Sequence, residues 1–365
     1  MIRLIKPYIR YRDVRRQFKE VFKTGMFTKG KYVDQFKHDL KDYLECDYVS
    51  LTTSATTALA LCLEVLKVKP GDEVLISDFS FPATANVVEN IGAIPIFVDV
   101  DLDTYNMIPS ELESKITPNT KAVIFVDALG NPSNVHHIKW ICAKHKIPLI
   151  EDAACALGSK EYSVKSGNIA DLTCFSFHPR KLLTTGEGGA ISTNSKFYAD
   201  EIEIKLNHGA IFKEDKFQFI LPGYNYRMTE MQAIMGIEGL KKLDKTIKLR
   251  NKIKSKYTEA LAPLGYKAQL YTPSSFHNVQ SVIFTVPDNI NRDGLIKYLK
   301  SQNIESTIGT YCLSNTLYYK TKYNDIQPNS KFLEENTITL PCYKGVNTKK
   351  VIKTISKYVP TEVSI

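Results

Sequence analysis

Leu172-Thr173-Cys174-Phe175-Ser176-Phe177-His178-Pro179-Arg180-Lys181, followed by Thr184-Thr185-Gly186-Glu187-Gly188-Gly189, reads as an apolar strand running into a polar, glycine-rich turn. The turn sets the amine of Lys181 five residues beyond the hydroxyl of Ser176. A lysine so placed reads as a Schiff-base former, with the serine and the turn amides gripping a phosphate beside it. A solvated surface lysine is the commoner fate of the residue type. On this segment alone the two readings stand level.

Outward from it, strand-like runs recur at Tyr48 to Thr52, Glu73 to Ser77, Ile94 to Val100, Ala122 to Asp127, Ile147 to Asp152 and Ala190 to Thr193. Helical segments lie between most of them, at Thr56 to Leu66, Ala83 to Asn90 and Val135 to His145. That alternation predicts an α/β fold, a mainly parallel seven-stranded sheet with helices on both faces. Its site is expected at the carboxyl ends of the strands. Residues 8 to 45 predict two amphipathic helices split at Thr24 to Gly30. Thr229 to Leu261 predicts one long helix, with Met231, Ile234, Ile237, Leu240 and Leu243 at helical spacing. The remainder predicts a small α+β domain: strands at Val279 to Val286 and Thr337 to Leu340, helices at Arg292 to Ser301 and Lys349 to Tyr358. The expected division is a large domain over 1–245 and a small one over 246–365, joined by the helix around 229–261.

The length of 365 residues suits two such domains, and 43% hydrophobic with 24% charged residues is ordinary globular composition. No apolar run approaches membrane-spanning length, and Met1 to Pro7 lacks a signal-peptide core, so a cytoplasmic protein is expected. The net charge of +9 comes from dispersed lysines without interleaved aromatics. It reads as positive potential for anionic small substrates rather than a nucleic-acid surface. Seven scattered cysteines with no CxxC pair argue against zinc or a disulfide framework.

Four further segments carry chemistry. Ile150-Glu151-Asp152-Ala153-Ala154 ends a strand in two carboxylates, and a buried Asp152 needs a cationic partner such as a protonated pyridine nitrogen. An ordinary capping or salt-bridged aspartate is the alternative. Thr53-Ser54-Ala55-Thr56-Thr57 joins strand to helix and offers free amides and hydroxyls to a phosphate, or else a plain N-cap at Ser54 or Thr56. Asp78-Phe79-Ser80-Phe81-Pro82 places an aromatic, Phe81, where it can stack on a flat ring or join the core. Pro222-Gly223-Tyr224-Asn225-Tyr226-Arg227-Met228 reads as a contact loop or a rigid turn.

In this order and spacing the segments resemble the DegT/StrS family of pyridoxal-phosphate-dependent sugar aminotransferases, which have the aspartate aminotransferase fold. Gly25-Met26-Phe27-Thr28-Lys29-Gly30, Pro70-Gly71-Asp72-Glu73-Val74 and Gly92-Ala93-Ile94-Pro95 extend the resemblance over nearly the whole chain. It implies that Lys181 holds pyridoxal 5'-phosphate (PLP) as a Schiff base and shuttles the proton. Asp152 would pair with the pyridine nitrogen, and Phe81 would stack on the ring. Ala55, Thr56 and Ser176 would hold the phosphate, with Asn225 reaching it from the neighbouring subunit of a homodimer.

Three departures stand out. Ser54-Ala55-Thr56 replaces the usual Ser-Gly-Thr, and Cys155 replaces the Gln or His common near the ring hydroxyl. The histidine-bearing substrate loop usual in the C-terminal region is here Thr307 to Asn315, without histidine. The resemblance implies transfer of an amino group from an amino acid, glutamate by the family's habit, to a nucleotide-linked ketosugar. A 4-keto-6-deoxyhexose is the expected ketosugar. A sugar dehydratase of the same fold is the nearest alternative, set back by Lys181, because the related dehydratases carry histidine there. A non-catalytic DNA-binding regulator is the other, set back by the joint presence of Lys181, Asp152 and Asn225.

Overall fold

The computed structural model describes residues 1–359. Two N-terminal helices, α1 (Tyr11–Thr24) and α2 (Lys31–Leu44), lead into the sheet. Gly25 ends α1 in the left-handed conformation that glycine adopts without a steric penalty. The start of α2 is capped from far away in sequence. The Glu230 carboxylate accepts from the N–H groups of Gly30, Tyr32 and Val33 at 3.1, 3.0 and 2.9 Å. An anion at a helix N-terminus is favourable, and this one also pins α2 to the element that carries Glu230.

The chain then alternates β1 (Tyr48–Thr52), α3 (Ala55–Val65), β2 (Glu73–Ser77), α4 (Ala83–Asn90), β3 (Ile94–Val98), β4 (Thr120–Val126), α5 (Val135–Lys144), β5 (Leu149–Asp152), β6 (Leu172–Ser176), β7 (Gly189–Thr193) and α6 (Lys196–Leu206). The seven strands form one sheet in the order β1-β7-β6-β5-β4-β2-β3. Only β7 runs against the rest, pairing antiparallel with β1 and β6. The expected α/β architecture is thus the observed one. Successive strand residues point to opposite faces. Ile76, Ile124, Ile150 and Cys174 pack under α3, α4 and α6, while Leu75, Val123 and Leu149 pack against α5. Phe175 and Ala190 meet α1 and α2 on that second face.

The single helix expected over Thr229 to Leu261 is two helices, α7 (Glu230–Leu240) and α8 (Leu243–Leu261). The apolar repeat Ile237, Leu240, Leu243, Ile247 runs through the break at Lys241 and Lys242, so periodicity alone does not reveal it. The break lets α7 lie on α2, with Gly236 against the Phe36 ring, while α8 carries Ile253, Tyr257 and Leu261 into the other core. That second core sits on a four-stranded antiparallel sheet of Lys267–Ala268, Val282–Thr285, Thr337–Leu340 and Thr307–Ile308. Helices Arg292–Ser301 and Thr348–Ile355 cover it. The strand expected from Val279 starts only at Val282, because Val279 has φ 58°, outside the β region. Among the described residues no helix is long and apolar enough to cross a membrane.

Candidate active site

A cavity of about 580 Å³ opens at the carboxyl ends of the strands, between the large sheet and the small domain. Ala55, Thr56, Phe81, Asp152, Cys155, Ser176 and Lys181 all line it. Register explains part of this. β5 pairs with β4 and β6, setting Asp152 opposite Val126 and Cys174, so the strand that leads to Lys181 runs directly beside the aspartate.

Asp152 is 6% exposed and accepts from Thr84 Oγ1 at 2.9 Å and from the Ala154 N–H at 3.2 Å. Burial pushes its carboxyl above the usual range, against the opposing pull of these hydrogen bonds and of the Lys181 charge. Lys181 Nζ contacts Cys155 Sγ at 3.0 Å. Cys155, which the resemblance sets near the ring hydroxyl, therefore touches the lysine. The loop carrying Lys181 is closed at its base by Phe177 N–H to Gly188 O, 2.8 Å, and Thr185 N–H to Phe177 O, 2.9 Å. It is also held from the small domain. Gln280 Oε1 accepts from Leu182 N–H at 3.0 Å, and its Nε2 donates to Arg180 O at 2.8 Å. Gln280 is silent in the linear chain, because a lone glutamine in a strand-like run carries no signal of a contact made about a hundred positions away.

Ser54 is the N-cap of α3. It accepts from Thr57 N–H at 3.1 Å, while Thr57 Oγ1 accepts from Ser54 N–H at 3.1 Å. This leaves the helix's first amides, at Ala55 and Thr56, without partners in a preceding turn, on residues that line the cavity. Gly189 packs on that start. A Cβ there would lie 2.5 Å from Ser54 C and 2.7 Å from Ala55 N, both backbone atoms. Gly189→Ala is therefore expected to lower stability by about 1–3 kcal/mol through overpacking and to weaken phosphate retention. Urea unfolding and cofactor dialysis check the two effects separately.

The residues fit pyridoxal phosphate. A helix start offers free amides to the phosphate, and among the described residues the buried Asp152 has no hydrogen-bonded cation of its own. The Phe81 ring, 65% exposed, offers a face to a flat partner. Phe81 is not core, and its edge contact is with Tyr311, at 6.3 Å between centroids. Tyr311 belongs to the histidine-free stretch Thr307 to Asn315, of which Thr307, Gly309 and Thr310 line the cavity. That stretch is anchored by Asp78, a buried residue accepting from Ser314 N–H at 2.7 Å, Ser314 Oγ at 2.8 Å and Cys312 Sγ at 3.1 Å. Asn225 is exposed and is not among the residues lining this cavity. It bridges to Asn207, and its chain neighbours Tyr224 and Tyr226 stack their rings directly on each other at 4.5 Å.

Burial raises the Asp78 carboxyl to about 6. The unfolded chain releases this proton near the ordinary carboxylate value while the fold retains it. Stability therefore falls as pH rises from about 4 to about 6 and stays lower above. At about 1.4 kcal/mol per unit the span is about 3 kcal/mol. Asp78→Asn is expected to remove that component, which the difference between wild-type and variant unfolding at pH 4.5 and 7.5 reads directly.

The chain matches the DegT/DnrJ/EryC1/StrS aminotransferase family model over residues 10–358. It is 29% identical to GDP-perosamine synthase of Vibrio cholerae over 337 residues, covering 91% of this chain and 92% of that one. It is 32% identical to UDP-4-amino-4,6-dideoxy-N-acetyl-beta-L-altrosamine transaminase of Campylobacter jejuni, covering 90% and 89%. Among solved structures it superposes on Spr1654 of Streptococcus pneumoniae in its PLP form with a TM-score of 0.90. The identity there is 26%, covering 96% of each chain, and a PMP form of the same protein matches equally. Fold, cavity and comparisons together place this protein in the DegT/DnrJ/EryC1/StrS aminotransferase family, whose members depend on pyridoxal phosphate.

Proposed function

We propose that this enzyme transfers an amino group from an amino acid, L-glutamate, to the keto group of a nucleotide-linked ketosugar, with a 4-keto-6-deoxyhexose as the substrate class. Its product would serve amino-sugar biosynthesis for a surface polysaccharide or glycoconjugate. The observation that carries this reading is the meeting of Lys181, the buried Asp152, the exposed Phe81 ring and the start of α3 at Ala55 and Thr56 in one cavity. The names of the Vibrio and Campylobacter relatives, both concerned with nucleotide-linked amino sugars, support the substrate class.

When bound, pyridoxal phosphate supplies the electron sink. Ala55, Thr56 and Ser176 hold the phosphate, Phe81 covers the ring, and Asp152 pairs with the ring nitrogen. Lys181 would anchor the cofactor and, as the base beside it, would hold and move the proton at the substrate carbon. Cys155 beside it sets the polarity around that amine. The reaction is ping-pong: donor in and keto acid out, then ketosugar in and amino sugar out.

Asn225 completes the phosphate site of a second copy of the chain. An exposed apolar cluster near it, Phe212, Phe217, Phe219 and Ile220, supports such a homodimer. The test of the whole reading is the absorption of the purified protein before and after L-glutamate. The expected result is a visible band that gives way to a near-ultraviolet one and returns on adding the ketosugar. A protein that takes up pyridoxal phosphate without any such band, or whose band ignores every amino donor, would overturn the reading.

A further inference from the structure

Two carboxyl groups that do not line the cavity, Asp127 and Glu151, are fully buried behind Asp152. Strand register brings them together. β4 sets Phe125 opposite Glu151 and Val126 opposite Asp152, so Asp127, one residue further on, shares the face of Glu151. The Asp127 N–H donates to Asp152 O at 3.2 Å, while the Asp152 carboxyl lies on the other face with Thr84. Glu151 Oε2 accepts from Thr173 Oγ1 at 2.9 Å and from Gly167 N–H at 3.3 Å. Asp127 Oδ2 accepts from Ser166 Oγ at 3.0 Å. The remaining oxygens, Asp127 Oδ1 and Glu151 Oε1, have no donor, and the two carboxyls are within hydrogen-bonding reach of each other.

Among the described residues no cation pairs with either carboxyl, and no cluster of side chains that could hold a metal gathers there. Lys165, next to Ser166, is turned to the Glu45 carboxylate at 2.7 Å and to Tyr43 O. The other titratable groups bearing on the pair are Asp152 and Cys174, and neither supplies a positive charge. Two bare anions in contact inside the sheet would repel strongly. One proton held between them removes the repulsion and satisfies both orphaned oxygens. The hydrogen bonds also say where it sits. Glu151 has two donors, as an anion needs, and Asp127 has one. Burial and the Glu151 charge push the Asp127 carboxyl well above its ordinary range. At Glu151 burial also raises the carboxyl, opposed by hydrogen bonds from Asp127, Thr173 and Gly167.

We infer that Asp127 and Glu151 share one proton, Asp127 Oδ1 donating to Glu151 Oε1, and that the single charge left on the pair supports Asp152 in holding a protonated cofactor ring. The second half rests on the pyridoxal phosphate reading of the cavity, and the first half does not. The pair lies on the far face of the strand that ends in Asp152, so its charge acts through the protein interior, where salt screens little. A second charge there would oppose the ionisation of Asp152 itself. Either residue alone can carry the charge. In Asp127→Asn the new amide still donates to a Glu151 anion, and in Glu151→Gln it donates to an Asp127 anion. Only the double replacement removes the charge.

Infrared spectra of the cofactor-free Asp152→Asn protein at pH 8 test the shared proton. Asp78, raised only to about 6, is ionised there, and the substitution takes Asp152 out of the spectrum. The expected result is the carbonyl band of a protonated carboxyl. It should shift with isotope-labelled aspartate, ignore labelled glutamate and vanish on adding Asp127→Asn. The absence of that band, or a band that follows the glutamate label or survives Asp127→Asn, would overturn the pairing. The same labels in cofactor-loaded wild type, where Asp152 faces a cation, decide it even where a variant does not fold. The charge is read from the pH at which the bound cofactor's visible band titrates. Asp127→Asn and Glu151→Gln should each leave that pH in place. The double variant should lower it by on the order of one unit, because an anion near a protonated centre is gone. A purely structural role predicts that each single variant disturbs the site. A single variant that moves the titration as far as the double, or a double that leaves it in place, would overturn the support of Asp152. A protein that takes up no pyridoxal phosphate would remove that support together with the cofactor reading, while the infrared bands still judge the shared proton.

Discussion

Lys181→Ala is expected to reduce turnover by at least about 10³-fold while leaving the fold intact. The side chain is half-buried, and its described polar contact is Cys155 Sγ at 3.0 Å. The loop around it is held by backbone and by Gln280 rather than by the lysine's amine. Melting should therefore shift little, as it does for most substitutions that touch no core contact. The loss in rate has two sources. The alanine cannot anchor the cofactor covalently, and no base remains to move the proton, a contribution of about 10²–10⁴ in itself. Lys181→Arg separates charge from nucleophilicity. It keeps the cation in the cavity but not the reactive amine, and it should be as inactive as the alanine variant. Borohydride treatment gives an independent readout, fixing the cofactor to the peptide that contains Lys181 in wild type and to no peptide in either variant. Turnover retained above a few per cent in Lys181→Ala would show that the lysine is the solvated residue its composition class suggests.

Much of this site is legible in the linear chain because its parts are local. A strand end, a helix start and a glycine turn each announce themselves within a few residues, and a parallel sheet must gather their carboxyl ends on one edge. Strand alternation likewise marks all seven sheet strands, with ends displaced by a residue or two. What escapes is contact across long separations. Glu230 reads as an ordinary residue opening a helix, yet it caps α2 from about 200 positions away. Arg250 sits among Lys245, Lys248, Lys252 and Lys254, where one more cation looks like solvated helix surface. Only the docking of α8 against Val279, Gln280 and Cys342 buries it. The break between α7 and α8 escapes for a different reason, since both sides keep the same apolar period and the chain bends to serve two cores at once.

Asp152→Asn is expected to move activity and stability in opposite directions, and that opposition identifies the carboxylate's role. In the cofactor-free protein the buried carboxyl is held above its ordinary range, chiefly by desolvation. An unfolded aspartate ionises freely at neutral pH, so this group lowers stability as pH rises past the ordinary carboxylate value. Asparagine has nearly the same shape: its Oδ1 can accept from Ala154 N–H while its Nδ2 donates to Thr84 Oγ1, and it carries no charge to desolvate. The cofactor-free variant should thus melt higher than wild type at pH 7 and about level with it near pH 3, where wild-type Asp152 is neutral too. Turnover should go the other way. Without the anion the ring nitrogen loses its proton and the cofactor its strength as an electron sink. Breaking a buried charge pair by removing one partner is worth about 3–5 kcal/mol, or roughly 10²–10⁴ in rate. An aspartate kept for the fold would show neither feature, since its replacement would lower melting and leave the rate per folded molecule untouched. Melting scans of the cofactor-free proteins, set beside turnover of the loaded ones, therefore distinguish a residue that stabilises the chain from one whose desolvation the bound cofactor relieves.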